Sequence, residues 1–396
     1  TGNSASGASL YLGSYASGNN YMDMSAITPS SMQLNKLKWE TTTEYNTGLD
    51  ATFLKGKLRF TVYVYLKAVK DLLQPKVKMP TTIGYGNGYQ ISYMNSGKMT
   101  NKGWEFRVDA VPFQNKDWRV GVYFNIAHNE NKITEMPDNY IEENYTFGNG
   151  NYAYRREEGR PMGSFYGYRY KGVYQNKDAT YARDIEGNVM KDISGNAIVM
   201  RNGSYTVAPG DAIYEDVNHD GVINQYDIVY LGNSNPRLTG GAGLNVSYKQ
   251  FKLSAIFYGR YGQDVVNATR LNNESMRGID NQSTAVLRRW RNEGDQTDIP
   301  RALYGEGYNT LGSDRFVEDA SYLRLKSLSF TYRLPKKAIQ RWGFNNIDVY
   351  VTGYNLFTWT KYTGQDPEVK TENTYARDTA TTPASIQLVA GFNLSF

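Results

Sequence analysis

The chain has no cysteine and only two histidines, His128 and His219, in 396 residues. Disulfide frameworks, thiolate catalysis and Cys/His zinc sites are thereby excluded, while both the cytosol and an envelope compartment stay open. Long apolar runs are missing too. Nowhere do about 18 apolar residues follow one another, so a helical membrane span is excluded. Charge of one sign is also scarce: 44 Lys+Arg against 39 Asp+Glu leaves +5. No basic run of about five residues occurs, so no nucleic-acid partner is indicated. The opening TGNSASGASL has neither a basic n-region nor an apolar h-region, and the expectation is that this stretch is no secretory signal.

What is abundant is tyrosine, 34 residues beside 15 Phe and 6 Trp, and glycine, 38 residues. Mean hydropathy is −0.60. That low value does not exclude a membrane β-barrel, in which lipid-facing and lumen-facing residues alternate and the average cancels. The last twelve residues show this alternation. Ile386, Leu388, Ala390, Phe392, Leu394 and Phe396 share one face, and Ser385, Gln387, Gly391, Asn393 and Ser395 the other, Val389 being the exception. Period two means a strand with one apolar and one polar face, and the length suits the roughly 9–11 residues of a tilted membrane strand.

The pattern recurs around Leu58–Ala68, Trp118–Ile126, Leu238–Tyr248 and Phe251–Tyr261, with Arg, Lys, Tyr, Asn and Gly on the polar face. Such groups suit a wet lumen better than a dry sandwich core. Short links alternate with long polar stretches near 73–89, 132–236, 264–318 and 360–384, which is the plan of an outer-membrane barrel. The sequence therefore predicts an all-β transmembrane antiparallel barrel. Crossing strands fall near 40–53, 58–71, 97–112, 118–131, 237–249, 251–263, 320–334, 346–358 and 385–396. Between Leu325 and Leu328 the apolar face switches, which predicts a bulge or the end of the membrane zone. Gly163–Tyr174 also reads as β and is placed in an extracellular strand extension. Single-chain bacterial barrels use even strand numbers, so about nine strands belong to a larger barrel.

Within 132–236 lies DVNHDGVINQYD, residues 216–227. Asp216, Asn218 and Asp220 hold positions 1, 3 and 5 of a calcium loop, Gly221 the sharp turn at 6, and Val222 offers its carbonyl at 7. Asn224 is at 9 and Asp227 closes at 12. Oxygen ligands at that spacing suit Ca²⁺. Asp in place of Glu at 12 and the lack of a flanking helix pair depart from an EF-hand. The competing account is an Asp/Asn/Gly turn bonding its own backbone. A bound cation here staples a loop and does no chemistry.

Other features have plain explanations. Gly84-Tyr85-Gly86-Asn87-Gly88 lacks the Lys-Ser/Thr and helix of a phosphate loop. The pairs Glu142–Glu143 and Glu157–Glu158 read as solvated loop residues. His128 belongs to no triad order and reads as a rim residue, and His219 takes the non-ligating position 4. Tyr63, Tyr65, Tyr123, Tyr258, Tyr350 and Tyr354 fall on the lumen face, where they fill space or line a path for sugars or peptides.

Several segments in order resemble one family. They are LKWETTTEYNTGLDATFLKGKLRFTVYVY (37–65), NSGKMTNKGWEFRV (95–108), GRPMGSFYGYRYKGVYQ (159–175) and PGDAIYEDVNHDGVI (209–223). They continue with LGNSNPRLTGGAGLNVSYKQFKLSAIFYGRYGQDV (231–265), ASYLRLKSLSFTYRLP (320–335), VYVTGYNLFTWTKYTGQDPEV (349–369) and the terminal Phe396. The family is the SusC/RagA-type TonB-dependent outer-membrane transporters of Bacteroidetes. The resemblance implies a 22-stranded barrel with an N-terminal plug. It also implies import of oligosaccharides or peptides energised by TonB, a SusD-like lipoprotein lid, and residence in outer-membrane lipid. Neither plug nor TonB box is in this sequence, so the chain reads as a C-terminal barrel portion. A soluble or surface Ca²⁺-stabilised glycan-binding β module, a passive porin and a membrane-barrel hydrolase are the alternatives, the last lacking a Ser/His or paired-carboxylate constellation.

Overall fold

The computed structural model describes residues 12–21, 24–78, 82, 90–136, 150–153, 156–372 and 375–396. Nine strands form one sheet: β1 (Thr41–Phe53), β2 (Leu58–Lys70), β3 (Lys98–Gln114), β4 (Trp118–Glu135), β5 (Leu238–Tyr248), β6 (Phe251–Tyr261), β7 (Tyr322–Arg333), β8 (Asn346–Thr360) and β9 (Gln387–Ser395). Each pairs antiparallel with its sequence neighbour, in unbroken order from β1 to β9. Among the described residues β1 and β9 have no partner on their outer sides, so the sheet is an open wall. Between the described residues no helix is long and apolar enough to cross a membrane.

The strands form because apolar and polar residues alternate, and the two faces separate accordingly. Leu49, Val64, Leu66, Phe124, Leu253, Phe330, Val351, Phe357, Leu388 and Phe392 all stand exposed on one side. An apolar face of that extent is far larger than water tolerates, and lipid is the solvent that suits it. The other face carries Asp50, Arg59, Arg107, Asp109, Asn125 and Asn245.

One end of the wall has tight turns. Gly56, at φ +87, closes the β1–β2 turn in a conformation that favours glycine. Asn115 Oδ1 accepts the N–H groups of Asp117 (2.9 Å) and Trp118 (2.7 Å), an Asx turn joining β3 to β4. Lys249 and Gln250 alone join β5 to β6. A single helical turn, Lys336–Ile339, lies between β7 and β8. The expected bulge is present: the register slips between Leu325 and Ser327 against β8, and on the β6 side between Ile256 and Phe257. Against β6 the extra residue is Lys326; against β8 it lies on β8, where Asn355 and Leu356 oppose Lys326. The slip returns Leu328 to the apolar face.

The opposite end carries the four long links, and two differences from the sequence expectation lie there. Strand β4 runs on to Glu135, past the expected 131, because Lys98–Asn101 of β3 keeps pairing with Asn131–Glu135. Gly163–Tyr174 is β-structure as expected, yet it does not extend a wall strand. Ser164–Gly167 pairs with Val229–Asn233 and Tyr170–Val173 with Ala212–Tyr214, both within the same link. These pieces build a folded unit with its own core of Tyr166, Tyr168, Tyr174, Tyr214, Ile223 and Ile228, to which the next link adds Tyr308 and Leu311. Among the described residues the largest buried apolar cluster is therefore in the links, and the wall is solvated by lipid on one side and by the lumen on the other.

Candidate functional site

Two regions can meet a solute: the polar face of the wall and the link unit above it. On the wall, four tyrosines each sit directly across from a glycine on the neighbouring strand: Tyr63 opposite Gly48, Tyr65 opposite Gly103, Tyr123 opposite Gly243 and Tyr350 opposite Gly391. A Cβ at those glycines would meet ring atoms at 2.2 Å, 2.6 Å, 2.0 Å and 2.8 Å respectively. The rings therefore lie down over bare backbone, covering it and packing the space a side chain would fill. Their hydroxyls and edges are tied into the wall. Tyr63 donates to Asp50 Oδ2 (2.7 Å), beside Thr61, which donates to Oδ1 (2.6 Å). Tyr65 donates to Asn129 (2.9 Å). Arg107 binds Asp109 through two hydrogen bonds and stands 5.5 Å from the Tyr123 ring centre. Tyr258 accepts from Arg260 Nε at 3.0 Å. The result is a flat, hydroxyl- and charge-bearing surface suited to polar oligomers.

Arg324 is the wall's most confined cation, 2% exposed. It donates to Thr358 on β8 (2.8 Å), to Asp366 (2.5 Å) and to Glu368 (2.9 Å), and Lys326 also reaches Glu368 (2.9 Å). This network pins the link 361–386 against the polar face. Burial pushes the Asp366 carboxyl up, but the N–H groups of Ala384 and Glu368 and the Arg324 guanidinium outweigh it and hold the group below its ordinary value.

In the link unit the central polar group is Asp211, fully buried. It accepts from Arg301 Nε (2.7 Å), Tyr205 OH (2.6 Å), the Ala208 N–H (2.8 Å) and Asn309 (3.2 Å). Arg301 and Asn309 come from the link between β6 and β7, so this cluster locks two links together. Tyr152 OH donating to the Ser313 carbonyl (2.7 Å) and the Tyr168 N–H to Gly312 (2.9 Å) extend the seam. Val266 pairs in parallel with Arg377, which brings in the third link. Burial raises the tyrosine hydroxyls of this core, Tyr174 to about 12, so they serve as neutral hydrogen-bonding groups.

The loop 216–227 is folded tightly around its own side chains. Asp216 accepts the N–H groups of Asp220 (3.2 Å) and Gly221 (2.8 Å), and Asp220 accepts from Val222 N–H (2.8 Å) and from Asn218 Nδ2 (2.9 Å). His219 at φ +56 and Gly221 at φ +79 make the sharp turn. Asp227 is buried; its two oxygens accept the Val217 and Asn224 N–H groups, each at 2.8 Å, closing a capping box with Asn224. Burial pushes the Asp227 carboxyl up, and the nearby Asp216 and Asp220 add to that against the two backbone hydrogen bonds. Among the described residues no group of three or more Asp, Glu or His side chains stands assembled to hold a metal ion.

Other residues singled out from the sequence fall apart from each other. His128 lies within β4, its Nδ1–H donating to the Arg237 carbonyl at 2.6 Å. Glu157 accepts from Tyr166 OH at 2.8 Å. Gly84–Gly88 and Glu142–Glu143 lie outside the described residues. Sequence reasoning missed the tyrosine core of the links. Its signal was the run S-F-Y-G-Y-R-Y-K-G-V-Y, in which Tyr166, Tyr168 and Tyr170 alternate. It also missed a short repeat, D-I-E-G-N at 184–188 and D-I-S-G-N at 192–196. In both, the Asp side chain accepts two backbone N–H groups and an isoleucine stands at the exposed tip.

No family model matches the chain. TonB-dependent receptor P3 of Formosa agariphila is 32% identical over 346 residues, covering 86% of this chain and 32% of that protein. TonB-dependent receptor SusC of Bacteroides thetaiotaomicron is 29% identical over 369 residues, covering 91% of this chain and 32% of that one. Among solved structures, the RagAB peptide transporter matches with a TM-score of 0.73 at 27% identity, over 100% of this chain and 40% of that chain. The chain thus spans about a third of the length of these curated relatives. The similar proteins bear the names of receptors and transporters.

Proposed function

The chain belongs to the SusC/RagA-type TonB-dependent transporters of the bacterial outer membrane, and from that premise we propose that it forms the C-terminal wall and outer links of an active importer. Its cargo is oligosaccharide or peptide, its outer partner a SusD-like lipoprotein lid, and its energy comes from TonB through a part of the protein not contained in this sequence. No bond is made or broken in the cargo. The wall contributes a path of flat tyrosine rings and paired charges. The interlocked links contribute a rigid outer platform for the lid. The observation that carries the reading is the match of this chain over its whole length to part of a solved transporter, together with a sheet whose two outer edges lack partners among the described residues.

The test is uptake of labelled peptides and labelled oligosaccharides by cells carrying the complete protein and its lid, with and without TonB. TonB-dependent accumulation of one cargo class supports the reading and names the class. Accumulation that persists without TonB makes it a porin, and no accumulation of either class overturns it.

For the 216–227 loop we propose a structural Ca²⁺ held by oxygens of Asp216, Asn218, Asp220, the Val222 carbonyl and Asp227. Mutual repulsion of three carboxylates supports this, since a divalent cation relieves it. Each Asp227 oxygen keeps a second lone pair beyond its backbone hydrogen bond. Calorimetric titration of the complete protein with CaCl₂ should show a saturable site that Asp216→Asn with Asp220→Asn abolishes. An unchanged titration in that double variant dismisses the ion.

A further inference from the structure

On the apolar face near the link end, the register sets one cross-strand row in a particular order. Ile126 of β4 lies opposite Gly240 of β5, Gly240 opposite Gly259 of β6, Gly259 opposite Leu323 of β7, and Leu323 opposite Trp359 of β8. Two adjacent strands in the middle of the row thus present no side chain. They are kept bare by backbone contact: a Cβ on Gly240 would lie 2.6 Å from the Asn125 carbonyl oxygen, and one on Gly259 2.7 Å from that of Tyr322. Neighbouring strands are about 4.8 Å apart, so Ile126 and Leu323, three spacings from each other, stand roughly 14 Å apart across this floor. The result is a groove of about 710 Å³, with Phe124 and Ile126 on one side and Leu323 and Trp359 on the other.

The groove opens on the face that contacts lipid, so its occupant comes from the bilayer. Water in an apolar depression at this depth would lack partners, and emptiness would forfeit the dispersion contacts of every lining atom. Its upper end is chemically different. Tyr261 and Trp359 mark the level where aromatic rings sit among lipid head groups. Lys361 stands exposed at the lip, and among the described residues it has no ion pair. Asp319, the carboxylate that lines the groove with it, accepts from the N–H and hydroxyl of Ser321.

We propose that this groove is a specific site for an outer-leaflet lipid: hydrocarbon chain over Gly240 and Gly259, phosphate against Lys361. The long links mark the outer side of the membrane, whose outer leaflet is phosphorylated glycolipid, and that is the source to which the site is assigned. The assignment concerns the wall's outer surface and does not depend on which cargo the lumen carries.

The experiment uses the complete transporter in detergent, exchanged with equal concentrations of phosphorylated lipid A and phosphatidylethanolamine, and counts retained lipids by native mass spectrometry. One lipid A per chain should survive delipidation. Ala242→Phe, which fills the groove one row inward where Ala242 pairs with Phe257, should remove it. Leu253→Phe, on the same face outside the groove, should not. Lys361→Gln should lower retention about fivefold, the weight of one lysine near an anionic lipid surface. Leu323→Trp serves as a second filling variant, and unheated gel mobility shows which variants are folded barrels. Equal retention of phosphatidylethanolamine, or lipid A retained in folded filling variants as in the parent, overturns the proposal.

Discussion

The wall and the link unit solve opposite problems with the same residue. In the wall, tyrosine lies over glycine on an open surface, and no dry interior exists to hold the strands. Stability there comes from backbone pairing between neighbours and from lipid solvating the outer face. In the links, Tyr166, Tyr168 and Tyr214 are buried among one another, and a charge, Asp211, is surrounded by donors from two different links. The first region tolerates loss of any one side chain because its bonds are in the backbone. The second is a small soluble domain assembled from pieces, and it depends on a few polar keystones.

That contrast can be broken in four places. The largest effect is expected from Arg301→Ala, which leaves Asp211 buried without its cation. About 3–5 kcal/mol should be lost from the link unit. Hydrogen exchange should rise across 150–233 and 262–321 while the wall strands keep their protection; a uniform rise through the wall would show that the two regions are not separable. Next comes the wall's lipid face. Val351→Arg, near the middle of β8, should cost about 2–4 kcal/mol of folding free energy in bilayers, measured by denaturant unfolding, with the isolated link contacts unaffected.

A smaller effect is expected at the seam between the regions. The folded-state pKa of Asp366 is depressed, so its contribution is full above the unfolded value of about 3.9 and disappears as pH falls through the folded value. Acidification should therefore loosen 361–386 from Arg324. Proteolysis of that link by an acid-active protease should speed up below about pH 4 and be insensitive to pH above 5. Asp366→Asn should remove the pH dependence. The smallest effect is Tyr123→Ala. Uncovering Gly243 and freeing Arg107 should cost about 0.2–1 kcal/mol, read in the same bilayer unfolding assay. A loss several times larger would mean the lumen rings carry stability that the wall's backbone does not.

The wall was legible in the sequence because period-two alternation is a local signal that recurs along the chain, most plainly in five of the nine strands. Even the bulge at Lys326 showed itself, since Leu325 and Leu328 cannot share a face without an extra residue between them. The link unit was not legible for the complementary reason. Its strands are two to five residues long, too short to show a period, and partners such as Tyr152 and Ser313 are 161 residues apart. The tyrosine surplus was visible, but composition alone could not divide it between girdle, lumen and a core nobody expects inside loops. The 216–227 spacing was plain, and its side chains bond the loop's own backbone and one another. What no spacing could tell was that Asp227 faces inward as a cap.

The seam also imposes an order of events in time. Every wall strand pairs with the strand next to it in sequence, and the four short turns close hairpins at little entropic cost. The four long links leave the pairing between hairpins to be closed over longer loops. The Asp211–Arg301 and Tyr152–Ser313 contacts join links on either side of β5 and β6, and Val266–Arg377 joins links on either side of β7 and β8, so pairing of those strands shortens the loops that these contacts must close. The link unit is therefore expected to lock late in assembly, as a clasp over strands already paired. Protease resistance of residues 150–321 should lag behind acquisition of heat-modifiable gel mobility, and that delay would report when each molecule becomes ready to receive a lid.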